Sequence, residues 1–515
     1  MSRTAGGGRT SEPSDMLVLA PLGFEARALR RGLPASGVLV ERTGMGAKRA
    51  ARAAILAAEI PARAVAIAGV CGALDPSLRP GDVVVASEVR GPGGTNITTI
   101  PGAGLLLSAV RKLGLTATMG PILSMDHLAS RREREQLAST GAVAVDMESA
   151  WLAPAAAGRP LVVLRVVSDT PDRPLYRVAA TVSGGLTALR TLRQSAPALA
   201  SWGAAAGPRT VLLAGPRSFC AGVERAIEIV ERALDRYGPP VYVRKQIVHN
   251  VHVVRDLEER GAIFVDALHE VPKRGLVVFS AHGVSPQVRS EARERSLKVI
   301  DATCPLVTKV HSEAKRFARA GYTIVLVGHE GHEEVEGTTG EAPEAIRLIE
   351  RADQIDDLEL PDGGGRVAYL TQTTLAVDEV TDVVEALRTK FPHLTGPGSD
   401  DICYATSNRQ DAVKVLARES DVMLVIGSGN SSNSKRLVEV SAREGCPAWL
   451  VDDETEIDPA WLVGARTVTV TAGASAPEVL VDRVVGALRG LGPVTVEERQ
   501  VMDESVQFTL PIELR

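Results

Sequence analysis

Three cysteines in the second half of the sequence each stand at the start of a predicted helix. Cys220 follows the apolar run "TVLLAG", and the residues after it keep apolar side chains at helical spacing. Cys304 lies in "DATCPLVTKVH", where Pro305 suits the first position of a helix. Cys403 precedes a third helical segment in "DDICYATSNRQDAVKVLA". This repetition predicts three related α/β units that bring their helix starts to one point.

The chemistry of these thiols leaves two interpretations open. A buried cysteine is most often a small hydrophobic residue, and Cys446, which follows a helix in "REGCPAWL", is expected in the core. A helix N-terminus, however, favours the thiolate, which is the form that binds metal. The sequence has no CxxC pair of the kind found in structural zinc sites. Because iron–sulfur clusters usually take four cysteines, three separated thiolates would suit a cluster that leaves one iron open to substrate.

Six apolar runs in the same half end in histidine, small or polar residues. Each run has the character of a buried strand, and in open α/β sheets ligands bind beyond the carboxyl ends of the strands. The side chains that gather at these ends are His249, His282, His332, Glu334, Thr373, Thr374, Ser431, Ser432, Asn433 and Ser475. Hydroxyls, amides and glycine-exposed N–H groups that lead into helices form anion sites, and protonated imidazoles add positive charge. The sequence therefore predicts a ligand that carries phosphate.

From residue 209 to the C-terminus the sequence closely resembles the 4-hydroxy-3-methylbut-2-enyl diphosphate reductase family. The segments that match in order are "FCAGVERAI", "DATCPLVTKVH", "GHEGHEEVEGTTG", "QTTLAVDE", "DDICYATSNRQ", "GSGNSSNSKRL" and "TAGASAPE". The resemblance implies reductive dehydroxylation to isopentenyl and dimethylallyl diphosphate, the last step of the non-mevalonate isoprenoid pathway. The sequence has no flavin or nicotinamide fingerprint, so the electrons must come from outside. The resemblance implies ferredoxin or flavodoxin as their donor.

The same resemblance implies roles for the residues singled out above. It implies one [4Fe–4S] cluster per chain, with its fourth iron open for the substrate hydroxyl. The implied cluster ligands are Cys220, Cys304 and Cys403. The side chains implied to bind the diphosphate substrate are His249, His282, His332, Thr374, Ser431, Ser432, Asn433 and Ser475. Glu334, helped by Thr373, would deliver the proton.

Two residues depart from the family pattern. Ser218 stands where glycine is common before Phe219, and Glu333 stands where proline is common before Glu334. Neither departure removes a functional group, so the expected site is unchanged.

Carboxylates also follow strands in the first half of the sequence. Glu25 lies where the strand of "MLVLAPLGFEARAL" turns into a helix, and Glu148 lies beside Met147 at a similar turn in "AVDMESA". Asp169 ends the buried strand of "LVVLRVVSDT". Together these residues predict a polar pocket at the strand ends. Alternatively, Glu25 and Glu148 only stabilise the first turns of their helices.

This pattern resembles the nucleoside phosphorylase and nucleosidase family over about residues 15–192. The segments that carry the resemblance are "PLGFEARAL", "TGMGAKRA", "LRPGDVVVAS", "AVDMESA" and "LRVVSDT". It implies that a purine nucleoside is the ligand, that Glu148 holds its ribose hydroxyls and that Met147 packs against the sugar. Asp169 would protonate N7 of the purine as the glycosidic bond breaks, and Glu25 would activate water. The aromatic residue that commonly stacks on the base is not identified in this sequence.

The two resemblances set the expected organisation of the 515 residues. We expect a disordered tail over residues 1–14, a nucleoside-phosphorylase-like α/β domain over 15–193, a linker over 194–208 and an α/β reductase over 209–515. The three units of the reductase are expected in a pseudo-threefold arrangement around the cluster. The linker is expected because "QSAPALASWGAAAGPRT" is aperiodic and rich in alanine, glycine and proline.

Composition argues against several other classes of protein. A net charge of −5 with both signs mixed gives no basic surface for nucleic acid. No apolar run is long enough to span a membrane, and the N-terminal residues lack the apolar stretch of a signal peptide. Five cysteines in so long a chain do not make a disulfide framework. The cytoplasm is therefore the expected compartment.

Three hypotheses follow from the sequence. The chain is a reductase fused to a working nucleoside-cleaving domain, or the same reductase fused to a catalytically silent nucleoside-binding or scaffolding domain. The third is a zinc hydrolase that uses the same cysteines and histidines, and the wide spacing of those residues disfavours it.

Overall fold

A computed structural model of the chain describes residues 14–171, 178–358 and 365–515, and of residues 178–183 it describes the backbone only. The tail expected over residues 1–14 lies outside the described residues except for Ser14, which begins the first strand. The chain divides into two compact units. The first comprises Met1–Val211, Asp453–Arg466 and Asp482–Thr495, and the second comprises Leu212–Asp452, Thr467–Val481 and Val496–Arg515.

The described residues before Arg209 alternate strands and helices around one mixed sheet. The strands are β1 Ser14–Ala20, β2 Val38–Arg42, β3 Ala62–Ala73, β4 Val83–Arg90, β5 Asn96–Thr99, β6 Ala117–Ser124, β7 Ala144–Asp146 and β8 Leu161–Asp169. The helices are α1 Gly23–Gly32, α2 Ala47–Ala58, α3 Ala103–Lys112, α4 Arg131–Ala138, α5 Ser149–Leu152 and α6 Val178–Ala204. The strand order is β2-β1-β3-β7-β6-β4-β5, and β8 pairs with both β3 and β4.

Parallel pairing brings the carboxyl ends of three strands of this sheet together. β3 lies between β1 and β8 and runs parallel to both, with Gly72 opposite Asp169. The central strands are apolar because both of their faces are buried, and the residues of β1 from Met16 to Ala20 are completely inaccessible to solvent. Polar residues that follow these strands therefore meet at one edge of the sheet.

Helix α6 corrects the expected linker. Residues 194–204 continue this helix, so the expectation of an aperiodic linker is wrong for them. Alanine is the strongest helix former, and the buried side chains of Leu192, Ala196, Leu199 and Trp202 follow helical spacing. The domain boundaries themselves stay a prediction.

From Arg209 onward the described chain forms three further sheets. The strands are β9 Arg209–Gly215, β10 Val241–Arg244, β11 Ala262–Val265, β12 Leu276–Phe279, β13 Lys298–Asp301, β14 Thr323–Val327, β15 Ile346–Ile349, β16 Val367–Thr371, β17 Val422–Ile426, β18 Ala448–Val451, β19 Thr467–Ala472 and β20 Val494–Gln500. The helices are α7 Ala221–Tyr237, α8 Val251–Glu259, α9 Pro286–Glu294, α10 Pro305–Arg319, α11 Glu333–Glu341, α12 Val377–Lys390, α13 Tyr404–Ala417, α14 Ser432–Arg443 and α15 Glu478–Arg489. The sheets have the orders β11-β10-β12-β13, β15-β14-β16 and β18-β17-β19-β9-β20.

Each of the three cysteines lies where the chain passes from one sheet to the next. Cys220 follows β9 of the five-stranded sheet, and helix α7 then packs in the core of the four-stranded sheet. Cys304 follows that sheet, and α10 packs in the core of the three-stranded one. Cys403 follows the three-stranded sheet, and α13 returns to the core of the five-stranded one. The prediction of three α/β units is confirmed.

No helix within the described ranges combines the length and the apolar character needed to cross a bilayer.

Candidate functional site

The cysteines of the three units line one cavity in the second unit. Cys220, Cys304 and Cys403 are the N-cap residues of α7, α10 and α13, as the sequence predicts. The cavity has a volume of about 100 Å³ and is also lined by His249, His282, His332, Glu334, Thr373, Thr374, Ser431, Ser432, Asn433 and Ser475. Every residue that the sequence analysis placed in this site is therefore on its wall.

The thiols lie close enough to interact with one another. A Cβ built on Gly222 would lie 2.8 Å from Sγ of Cys304 and 3.8 Å from Sγ of Cys220, so glycine leaves open the space between them. Burial raises the pKa of Cys304 to about 11 and that of Cys403 to about 12. Buried thiols in such a position become thiolates when a cation binds them.

The donor set fits a multi-iron cluster better than a single metal ion. Among the described residues, no three His, Cys, Asp or Glu side chains converge as the ligands of one metal ion would. Cys446 is buried in the core of the five-stranded sheet, as predicted, and does not line the cavity.

Three histidines form a compact group on the wall of the same cavity. The rings of His249 and His282 stack with their centroids 4.1 Å apart, and His332 lies edge-on to them at 5.6 Å and 5.8 Å. Burial lowers the pKa of His249 and that of His332 to about 4 and lowers the pKa of His282 well below its usual range. Nδ1 of His332 accepts a hydrogen bond from the N–H of Glu334, so the neutral ring carries its proton on Nε2 as a donor.

Several buried polar atoms on this wall are unsatisfied. Nδ1 of His249, Nε2 of His282 and both amide atoms of Asn433 have no hydrogen-bond partner among the described residues. Unpaired buried polar groups are costly, and here they face a common cavity beside the start of helix α14, whose N-cap is Ser431. Such a wall is suited to an anion that can accept several hydrogen bonds.

Glu334 lines the same cavity and is buried. Its carboxylate accepts hydrogen bonds from the N–H and the hydroxyl of Thr373, at 2.7 Å and 3.0 Å. Burial nevertheless raises the pKa of Glu334 to about 7. A carboxylic acid with such a pKa holds its proton at neutral pH more often than an exposed glutamate does, as general acid catalysis requires.

Sequence reasoning did not identify Arg409, which links the segments that carry two of the cysteines. Arg409 of α13 is completely buried, donates to the carbonyl of Ser218 at 2.7 Å and pairs with Glu504 at 3.0 Å. It thereby ties the loop of Cys220 to the helix of Cys403. A signal was present, since Arg409 falls among the buried positions of its helix.

The two departures from the family pattern lie beside the cavity wall. Ser218 has a left-handed backbone, with φ of 60°, which explains why glycine suits this position. Its hydroxyl donates to Glu478 at 2.5 Å. Glu333 does not line the cavity, and burial raises its pKa to about 7.

The first unit contains a second cavity, of about 540 Å³. Glu25, Met147, Glu148 and Asp169 all line it, so the four residues predicted to share a pocket are brought together. Phe24, half exposed, also lines it and is an aromatic side chain that sequence reasoning missed.

The carboxylates of this second cavity are buried and anchored by backbone N–H groups. Glu25 accepts from the N–H groups of Leu22 and Val70, at 2.7 Å and 2.8 Å, and burial raises its pKa to about 7. Glu148 accepts from the N–H of Gly46 at 3.0 Å, and burial raises its pKa as well.

Two buried arginines of the first unit were also missed. Arg165, in the middle of β8, is completely buried and pairs with Asp146 at 2.6 Å. Arg134 of α4 pairs with Asp169 at 2.5 Å. A charged residue within the apolar run "LVVLRVV" was a signal for Arg165, whereas nothing in the sequence links Arg134 to Asp169.

Comparisons with known proteins match two parts of the chain to two different families. Residues 211–489 match the family described as LytB protein, and residues 25–183 match the phosphorylase superfamily. 4-Hydroxy-3-methylbut-2-enyl diphosphate reductase 2 of Mycobacterium bovis is 57% identical over 317 residues, which cover 61% of this chain and 96% of that protein. The corresponding reductase of Idiomarina loihiensis is 56% identical over 308 residues, 59% of this chain and 98% of that protein.

A solved structure agrees with these sequence matches. The E-1-hydroxy-2-methyl-but-2-enyl-4-diphosphate reductase of Plasmodium falciparum is similar with a TM-score of 0.58 and 38% identity. The match covers 60% of this chain and 97% of that one.

Proposed function

The chain belongs to the LytB protein family and carries the 4-hydroxy-3-methylbut-2-enyl diphosphate reductase activity of its relatives, and on this basis we propose which of its residues perform each part of the reaction. The reaction converts the allylic alcohol to isopentenyl and dimethylallyl diphosphate, consumes two electrons and two protons, and releases water. Residues 209–515 are the reductase part in this proposal.

The family uses a [4Fe–4S] cluster, and Cys220, Cys304 and Cys403 are the proposed ligands. The support is that all three are helix N-caps on one cavity. In addition, Gly222 keeps the space between the sulfur atoms of Cys220 and Cys304 free. When bound, such a cluster supplies a Lewis-acidic iron for the allylic oxygen and a path for electrons. Three thiols would leave one iron of such a cluster without a protein ligand.

The histidine wall is the proposed diphosphate subsite. Nδ1 of His249, Nε2 of His282 and Nδ2 of Asn433 are buried without a partner among the described residues, and each would donate to a phosphate oxygen. Ser431 adds the start of helix α14. The same wall includes His332, Thr374, Ser432 and Ser475. In this arrangement the diphosphate orients the substrate so that its hydroxyl end faces the thiols.

Glu334 is the proposed proton donor. It lines the cavity with the cysteines, and its pKa of about 7 keeps a large share of it protonated at neutral pH. Thr373 fixes the orientation of the carboxyl group on the cavity wall through two hydrogen bonds.

The electron donor is a second protein in this proposal, ferredoxin or flavodoxin. The cytoplasm is the proposed compartment, supported by five cysteines that are all free thiols.

The observation that carries the proposal is the meeting of three N-cap cysteines in one cavity with an unsatisfied histidine and asparagine wall. Its test is the Cys304→Ser variant, purified without oxygen. Because a hydroxyl is a poor iron ligand, we expect loss of most of the bound iron and of all turnover. Cys446→Ser, the matched control, should keep both. Loss of iron in Cys446→Ser would contradict the three-ligand assignment.

A second activity is proposed for the first unit, because four predicted site residues line one cavity there. We propose that it binds and cleaves a nucleoside, with Glu148 on the ribose hydroxyls and Glu25, of pKa about 7, as the base that activates water. Met147 would pack against the sugar, and protonation of a purine N7 by Asp169 stays a prediction.

The test of this second activity is release of free base by the full-length protein from a panel of nucleosides. Glu148→Gln should abolish release and leave reductase turnover unchanged, and Glu59→Gln on the surface is its matched control. If the wild-type protein releases no base from any nucleoside, the domain is better described as silent or as a scaffold.

A further inference from the structure

Arg134 is a buried cation on the wall of the cavity in the first unit. Its side chain is 6% exposed and lines the cavity. Nε donates to the carbonyl of Ala129 at 3.3 Å, and Nη2 pairs with Oδ2 of Asp169 at 2.5 Å. Nη1 is buried and has no hydrogen-bond partner among the described residues. Nη1 therefore offers both of its N–H groups to a ligand, and Nη2 has a second N–H beyond the one that pairs with Asp169.

The surrounding backbone is shaped to hold this guanidinium. A Cβ on Gly72 would lie 2.8 Å from both Nη1 and Nη2 and 2.9 Å from Cζ, so any other residue at 72 would displace Arg134. Gly72 is the strand partner of Asp169 and lines the same cavity. Helix α4 starts at a capping box in which Ser130 and Glu133 bond each other's N–H groups, which fixes the first turn that carries Arg134.

The chemistry of arginine restricts the ligand. A guanidinium has only donors, so its partner must offer acceptors, and a buried cation with an unpaired N–H is costly until one arrives. Adenine places an amino donor beside its N7 acceptor, which suits an asparagine or glutamine. A 6-oxopurine places two acceptors, O6 and N7, side by side, and arginine bonds that pair in bidentate fashion.

We propose that the cavity of the first unit selects a 6-oxopurine nucleoside, and that Arg134, held by Asp169, is the residue that recognises the O6 and N7 edge of its base. The inference rests on the proposed function that this cavity takes a nucleoside. In this inference Asp169 positions Arg134, in place of the expected transfer of a proton from Asp169 to N7 of the purine.

The test measures binding to the full-length protein by titration calorimetry with inosine, guanosine, adenosine and uridine. Inosine and guanosine should bind about tenfold to hundredfold more tightly than adenosine, the range that a bidentate contact gives. Arg134→Gln should remove this preference, Arg134→Lys should restore part of it, and Arg131→Gln on the exposed face of the same helix should leave it unchanged. Thermal unfolding of each variant checks that the unit remains folded.

The outcomes separate this inference from the proposed function. Adenosine or uridine binding at least as tightly as inosine overturns the 6-oxopurine assignment and leaves the nucleoside site standing. A preference that survives Arg134→Gln in a folded variant overturns the role of Arg134. If no nucleoside binds, both the proposed function of the cavity and this inference fail.

Discussion

Replacing Glu334 by glutamine tests the proposed proton donor most directly. Glutamine keeps the size of the side chain and an oxygen that accepts from the N–H of Thr373, but it has no proton to transfer. General acid catalysis contributes about 10²–10⁴-fold, so turnover should fall by that factor. Iron content and diphosphate binding should be retained, because Glu334 belongs to neither proposed set of ligands.

The pH dependence of wild-type turnover gives a second test of Glu334 as the proton donor. Burial raises the pKa of Glu334 from 4.5 to about 7, which disfavours the buried anion by about 3 kcal/mol. The protonated form is the active one, so turnover should decline as the pH rises through about 7. Because the folded-state pKa lies above the unfolded one, this group's contribution to stability is full below pH 4.5 and is lost as the pH rises from 4.5 to about 7. Both declines should be absent in Glu334→Gln.

The assay is anaerobic turnover with a chemical one-electron donor, followed across the pH range and paired with measurement of bound iron. Glu333→Gln is the matched control, because Glu333 is the adjacent residue and has a similar pKa of about 7 but does not line the cavity. Near-normal turnover of Glu334→Gln, or a pH limb that vanishes in Glu333→Gln instead, would refute the reasoning.

Two further changes test the walls of the same cavity. Gly222→Ala places a methyl group 2.8 Å from Sγ of Cys304 and should lower the amount of bound iron per chain. Gly486→Ala is the control, because a Cβ there meets no atom within 4 Å, and it should keep its iron. Equal iron in the two variants would show that the space between the thiols is not needed. Asn433→Ala removes an amide N–H donor that has no partner among the described residues. It should weaken binding of inorganic diphosphate by about tenfold to hundredfold, as for a lost hydrogen bond to a charged group. Asn430→Ala, in the same loop but off the cavity wall, should bind as the wild type does, and a similar loss in both variants would point to the loop's fold instead.

The sequence predicted those parts of the site that depend on local order along the chain. A cysteine that precedes a helical period becomes an N-cap, and a histidine that ends an apolar strand lies at the carboxyl edge of a sheet, as Cys304 and His282 do. The contacts of Arg409 with Ser218 and Glu504 join segments far apart in sequence, and no local pattern encodes them. The ion pair of Arg134 with Asp169 was missed for the same reason.

Composition was misleading for residues 194–204, because a linker and a helix can be built from the same types of residue. Alanine, glycine and proline in residues 194–204 are typical of a linker, yet alanine is also the best helix former. The burial of Leu199 and Trp202 decides for the helix, and burial is a property of the fold rather than of the segment.

The three passages between sheets give a bound cluster a mechanical role. A cluster held by Cys220, Cys304 and Cys403 would cross-link segments that are distant in sequence. Closing such long loops lowers the conformational entropy of the unfolded chain. Destruction of the cluster by oxygen would break its links to all three cysteines at once. The segments around the three cysteines would then unfold locally more often, and proteases cut locally unfolded segments. After exposure to air, limited proteolysis should therefore cut the chain first at these passages between sheets. The inactivated protein would then also be the form that proteases degrade most readily.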